Sequence, residues 1–136
     1  MAPGRAPRDN HCVPVAVGFA PPDVFVIHAT GAVTYQECQR AIDDVLAHPA
    51  GSRSEARKIL ADARGVTTAP STAELHKLAR DMKLFIARGY GPIAIVTDRA
   101  FVYGVARMFA VFAEAFGMNV RAFLSVDEAS SWLDAA

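Results

Sequence analysis

The residues of this chain that could do chemistry fall in three places. His28 stands in the otherwise apolar run Val24-Phe-Val-Ile-His-Ala-Thr. Asp62 and Arg64 close the run Ile59-Leu-Ala-Asp-Ala-Arg-Gly, and Thr97, Asp98 and Arg99 follow Ile93-Ala-Ile-Val. General acid–base work would need His28, Asp62 and Asp98 to converge in one cleft with a nucleophile. The sequence places neither a nucleophile nor an orienting carboxylate beside His28, and a lone strand histidine reads first as a packed or hydrogen-bonded residue. His11, His48 and His76 lack metal-ligand spacing. Cys12 and Cys38 form neither a CxxC pair nor a Cys/His cluster. No metal, thiol redox motif or cofactor is therefore expected. The chain has no GxGxxG, no GxxxxGK[ST] and no GxSxG, so nucleotide binding and a hydrolase elbow are unsupported. A phosphoacceptor role for Asp62 would call for an acidic pair after an early strand and a late lysine, and neither is present.

These residues are positioned by alternating elements. Ile93–Val96 is apolar at every position, as a strand covered on both faces should be. Roughly 20 residues then precede the strand Asn119–Leu124, enough for a helical crossover and too many for a hairpin. The pattern is an α/β fold: a four- to five-stranded, mostly parallel sheet with about four helices. Earlier strands are expected at Val13–Phe19, Val24–Thr30 and Lys58–Asp62. The pairing sense of the first is left open by the sequence. Helices are expected over Thr34–His48, after Ser71, after Thr97 or Asp98, and after Ser125. Thr34/Glu37, Ser71/Glu74 and Ser125/Glu128 have the spacing of capping boxes. In the second helix Leu75, Leu78, Ala79, Met82, Phe85 and Ile86 form one apolar stripe, ending at Gly89. In the third, Phe101, Val105, Met108, Phe109, Phe112 and Phe116 share a face. That wide arc implies deep burial or a partner.

Ligands of open α/β sheets gather beyond the carboxyl ends of the strands. The candidate pocket residues are Thr30, Asp62, Arg64, Thr67, Thr68, Ser71, Thr97, Asp98 and Arg99, with Thr34 close by. They read as a small polar pocket whose helix N-termini favour an anion. The competing reading makes Thr34, Ser71 and Asp98 simple caps and Asp62–Arg64 a local loop contact. Cys38 falls on an apolar helix face, as a small core residue would. Tyr103 and Arg107, with Val111 and Glu114, lie on the outer face of the Phe101–Phe116 helix. They are either a partner surface or an ordinary solvated face.

Composition bounds the class. The 136 residues suit one domain, taken as 13–136 behind a disordered tail at 1–12. Lys plus Arg and Asp plus Glu number 14 each. This balance argues against a nucleic-acid surface and for self-association as a homodimer. No signal peptide or transmembrane segment is read, and a reduced cytoplasmic setting fits the two cysteines.

Several phrases, taken in order, resemble a known family. They are Gly31-Ala-Val-Thr, Ile59-Leu-Ala-Asp-Ala-Arg-Gly, Ile93-Ala-Ile-Val-Thr-Asp, Val102-Tyr-Gly-Val-Ala-Arg-Met-Phe, and Val120-Arg-Ala-Phe-Leu-Ser-Val-Asp-Glu-Ala-Ser-Ser-Trp-Leu. The chain from Val13 to Leu133 is similar to the SpoIIAA-like branch of STAS domains, small bacterial α/β proteins also grouped as STAS/SEC14-like. The resemblance implies a non-enzymatic regulatory or protein-binding module of the anti-sigma-factor-antagonist type, with a protein partner. Antagonists of that type carry an Asp-Ser-Ser-Gly-like phosphoacceptor motif before the second helix. Here the region reads Val66-Thr-Thr-Ala-Pro-Ser-Thr-Ala. The Asp and Gly are missing, Pro70 intrudes, and Ser71 is the nearest position for phosphorylation. The alternative is a small-ligand or lipid-type sensor or carrier, using a cavity beside the Phe101–Phe116 helix.

Overall fold

The computed structural model describes residues 15–20, 23–48 and 58–136. The expected tail at 1–12 and the loop expected after His48 lie outside them. The chain opens with β1 (Val15–Ala20) and β2 (Val24–Ala29), followed by β3 (Gly31–Ala32) and α1 (Tyr35–Ala47). Next come β4 (Lys58–Asp62), β5 (Val66–Thr68), α2 (Thr72–Asp81) and α3 (Lys83–Ala87). The last elements are β6 (Ile93–Val96), α4 (Ala100–Ala115), β7 (Val120–Phe123) and α5 (Val126–Ala135).

The main sheet has the order β1-β2-β4-β6-β7. Only the β1–β2 pair is antiparallel; the other pairs are parallel. From β2 onward each crossover steps in the same direction. Right-handed connections then place α1, α2 and α4 on one face. That face carries Phe25, Ile27, Ile59, Ile93 and Ile95, and the helices cover it with Val45, Leu75, Leu78, Phe109 and Ala113. α5 lies over the opposite face. There Ala129, Leu133 and Trp132 meet Leu60, Ala94, Val96 and Phe123. A second sheet pairs β3 with β5 in parallel. Neither segment is among the strands expected from the sequence.

Local chemistry explains most helix boundaries. Thr34 and Ser71 each close a reciprocal capping box, with Glu37 and Glu74. Ser125 makes only its own half, accepting from the Glu128 amide at 3.3 Å. α3 and α4 both end in a Schellman motif. Tyr90 N–H donates to the Phe85 carbonyl at 2.9 Å and Met118 N–H to the Ala113 carbonyl at 3.0 Å. Gly89 and Gly117 supply the left-handed residue, at φ 78° and 90°.

Three expectations need correction. The stripe from Leu75 to Ile86 is two helices, not one, because the chain turns at Met82, whose ψ is 0°. Phe85 swings into the core and Ile86 is left 41% exposed. Neither Thr97 nor Asp98 caps α4: its N-cap is Arg99, with no side-chain cap bond. The buried stripe of α4 is Val102, Ala106, Phe109 and Ala113, while Phe101 is 67% exposed. The arc is wide because α4 makes two contacts. Its alanines let it approach the sheet closely. Phe112 and Phe116 take His76 of α2 edge-on, at ring separations of 5.3 and 5.7 Å.

Candidate binding site

The strand register brings the scattered polar residues together. His28 pairs with Asp62 across β2 and β4, and Asp62 with Val96 across β4 and β6. His28 Nδ1 therefore lies 3.7 Å from Asp62 Oδ2. Arg64 grips the same carboxylate with a fork, Nε to Oδ1 at 2.9 Å and Nη2 to Oδ2 at 2.8 Å. Its backbone N–H adds a third bond to Oδ1 at 3.1 Å. The Arg64 guanidinium holds the Asp62 carboxyl below its usual range, against the opposing effect of burial. Asp98 reaches the same turn, accepting from the Gly65 N–H at 3.2 Å. Gly65 suits that turn because its φ is 88°. His28, Asp62 and Asp98 thus converge, yet Asp62 is spent on Arg64 and Asp98 on a backbone amide. The Asp62 carboxylate, held ionised by Arg64, is a poor proton acceptor at neutral pH. What the cluster does visibly is fasten the β4–β5 turn to β6.

The remaining polar candidates surround this turn. Thr30, Thr67, Thr68, Ser71 and Arg99 are exposed. Thr68 offers its carbonyl to the Val33 N–H at 3.1 Å, and the Ser71 hydroxyl accepts from the Glu74 N–H at 3.2 Å. Thr97 differs from the rest. It is fully buried, and its Oγ1 has no hydrogen-bond partner among the described residues. No group of three or more metal-capable side chains occurs among the described residues.

Beneath this polar rim lies a cavity of about 180 Å³, between the helix-covered face of the sheet and α1, α2, α3 and α4. Its walls are aliphatic and aromatic, joined by Cys38, Met82 and Pro70, with no hydroxyl or charged side chain. Val66, Ala69 and Pro70 connect it to the rim. Burial pushes the Cys38 thiol up to about 11, with Glu37 and Glu74 adding to the effect. The cavity lies against α4, the Phe101–Phe116 helix, but its trace in the sequence is alanine rather than phenylalanine. Ala29, Ala41, Ala61, Ala63, Ala69 and Ala106 line the space, small residues at inward positions where larger ones would have filled it.

A separate open groove runs between the outer face of α4 and the free edge of β7. It gathers all four residues expected on a partner surface, Tyr103, Arg107, Val111 and Glu114, with Val120, Arg121 and Ala122. The Arg107 guanidinium lies 5.9 Å from the centre of the Tyr103 ring.

No helix among the described residues is long and apolar enough to cross a membrane. No curated protein matches the sequence. Among solved structures, the chain resembles the anti-sigma factor antagonist SpoIIAA in its unphosphorylated form. The TM-score is 0.61 at 10% identity, covering 90% of this chain and 97% of that one. It also matches an uncharacterized DUF3478-family protein with a SpoIIAA-like fold from Shewanella loihica PV-4. That match has a TM-score of 0.49 and 20% identity, over 88% of this chain and 91% of the other. At 10% identity the likeness to the antagonist speaks for the fold alone, and it agrees with the five-stranded, mostly parallel sheet derived above. The SpoIIAA-like family model matches residues 24–134, which take in every element from β2 to α5, and the chain belongs to that family.

Proposed function

We propose that this chain is a non-enzymatic binding module whose ligand is a small apolar molecule held in the interior cavity. One observation carries the reading: a space of about 180 Å³ whose walls, among the described residues, offer no hydroxyl or charged side chain. A dry apolar cavity of about 150 Å³ in another protein binds benzene, so this volume suits a ligand of that order. An apolar molecule regains the dispersion contacts that the lining side chains lack across an empty space. The polar rim at Thr30, Asp62, Arg64, Thr67, Thr68, Ser71, Asp98 and Arg99 then serves the entrance, with Thr97 buried behind it: Val66, Ala69 and Pro70 lie between the rim and the cavity. The test is thermal unfolding with a graded series of apolar probes, from benzene to medium-chain alcohols. A saturable rise in Tm that peaks at one probe size supports the reading. A flat response across the series removes it.

A second reading keeps the regulatory role, with a protein partner, in a cytoplasmic setting. Its support is the convergence of Tyr103, Arg107, Val111 and Glu114 on one groove, and the relation of the fold to an anti-sigma factor antagonist. Ser71 would be the residue for phosphorylation in that reading. It is exposed and caps α2, where added negative charge meets the positive end of the helix. Mass spectrometry of protein purified from its native host checks this directly. Unmodified Ser71 under every growth condition would count against the switch.

A further inference from the structure

Among the described residues, the outer edge of β7 has no strand beside it. β7 is the last strand in the sheet order. Ile93 N–H donates to the Asn119 carbonyl and Thr97 N–H to the Phe123 carbonyl, each at 2.9 Å. Strand alternation then turns the amides and carbonyls of Val120 and Ala122 away from β6, along the edge. Edges that must stay unpaired usually carry a proline, a bulge or an outward lysine. β7 has none of these. Its register with β6 runs unbroken over all four pairs. Its one charge, Arg121, lies over the Phe123 ring at 5.7 Å from the ring centre.

The helix beside this edge carries a charge pattern complementary to its own reverse. Arg107 and Glu114 stand two turns apart on one stripe of α4, opposite in sign, with Val111 between them and 63% exposed. We propose that the occupant of this groove is a second copy of the chain, related by a twofold axis through the middle of β7 and α4. In that arrangement the two β7 strands pair antiparallel about Ala122 and extend the sheet across both copies. Each Arg121 then stands opposite Phe123 of the other copy, so the cation–ring contact already present within one chain is repeated between chains. The two α4 stripes run antiparallel about Val111, and each Arg107 meets Glu114 of the other copy. A uniformly acidic or basic segment would satisfy one of these charges and repel the other. A second copy satisfies both, as an isologous interface requires. The inference is independent of the interior cavity, since groove and cavity share no lining residue.

Charge reversal tests it, because only a self-complementary surface can be rescued by swapping both charges. Sedimentation velocity over a concentration series is run on the wild-type chain, Arg107→Glu, Glu114→Arg and the double swap. Both positions are exposed, so folding should survive, and thermal unfolding verifies it. The expected result is a wild-type dimer, dissociation constants raised roughly tenfold or more by either single change, and restoration by the double swap. Hydrogen exchange at the Val120 and Ala122 amides should slow as the dimer fills. A wild-type chain that stays monomeric at about 1 mM overturns the proposal, leaving the groove to a different kind of partner. Single variants that dimerise like wild type, or a double swap as weak as the single changes, also overturn it.

Discussion

Leu78→Ala is the perturbation that reads the interior most directly. Leu78 lies on α2, is 6% exposed, and forms part of the cavity wall beneath the rim. The change deletes three carbons, worth about 2.4 kcal/mol at about 0.8 kcal/mol per buried methylene. Void left unrelaxed adds about 24 cal/mol per Å³, so some 50 Å³ adds about 1.2 kcal/mol. One side of Leu78 already faces empty volume and loses few contacts, which pulls the total down. The expected cost is about 3 kcal/mol, within the usual range of about 2–5 for Leu→Ala in a core. Urea denaturation followed by circular dichroism measures it, with the m-value required to stay constant. A saturating apolar ligand, at a hundred times its dissociation constant, should return about 2.7 kcal/mol. A cost below about 1 kcal/mol at unchanged m would mean that α2 does not pack on the sheet as described, and the reasoning would fail.

Three further outcomes follow from single residues. Thr97→Val removes a buried hydroxyl that has no partner, so it should be neutral or stabilise by about 1 kcal/mol in the same urea assay; a loss above 1 kcal/mol would reveal a partner for Oγ1. The Asp62 carboxyl titrates below its unfolded value because Arg64 bonds it. Its contribution is present above roughly pH 4 and fades as pH falls through the lower folded value. Asp62→Asn should therefore lower the urea midpoint at pH 6, and the two curves should converge as the pH falls through the lowered folded value; a gap that stays constant with pH would contradict the ion pair. Cys38, with its thiol near 11 and its place in the cavity wall, should be alkylated slowly at pH 8 and rapidly in urea, and more slowly still with an apolar ligand present; peptide mapping separates it from Cys12.

The sequence carried the elements better than their meeting points. Thr34 and Glu37, three apart, announce the start of α1 because capping is a local matter. Ile93–Val96 is apolar throughout because it is covered on both faces. The bend at Met82 was hidden, since no proline or glycine marks it. The face of α4 was misread because a helix that packs on both a sheet and a neighbouring helix presents two stripes, and spacing alone favoured the bulkier one, with Phe101. His28 and Asp62 lie 34 positions apart, and only the parallel register of β2 and β4 makes them neighbours. The cavity was the least legible feature. A void is volume that is missing, and its trace is six alanines that single-residue chemistry passes over.

The central claim is that the interior takes a small apolar ligand. A methyl-selective NMR titration with benzene as the probe tests it most directly. The account predicts saturable shifts confined to methyls of the cavity wall, Ile27, Ile59, Ile93 and Val102 among them, with exposed Val111 unmoved. Shifts that are linear in benzene, or that appear at Val111 and Leu124 while the cavity methyls stay still, would contradict it.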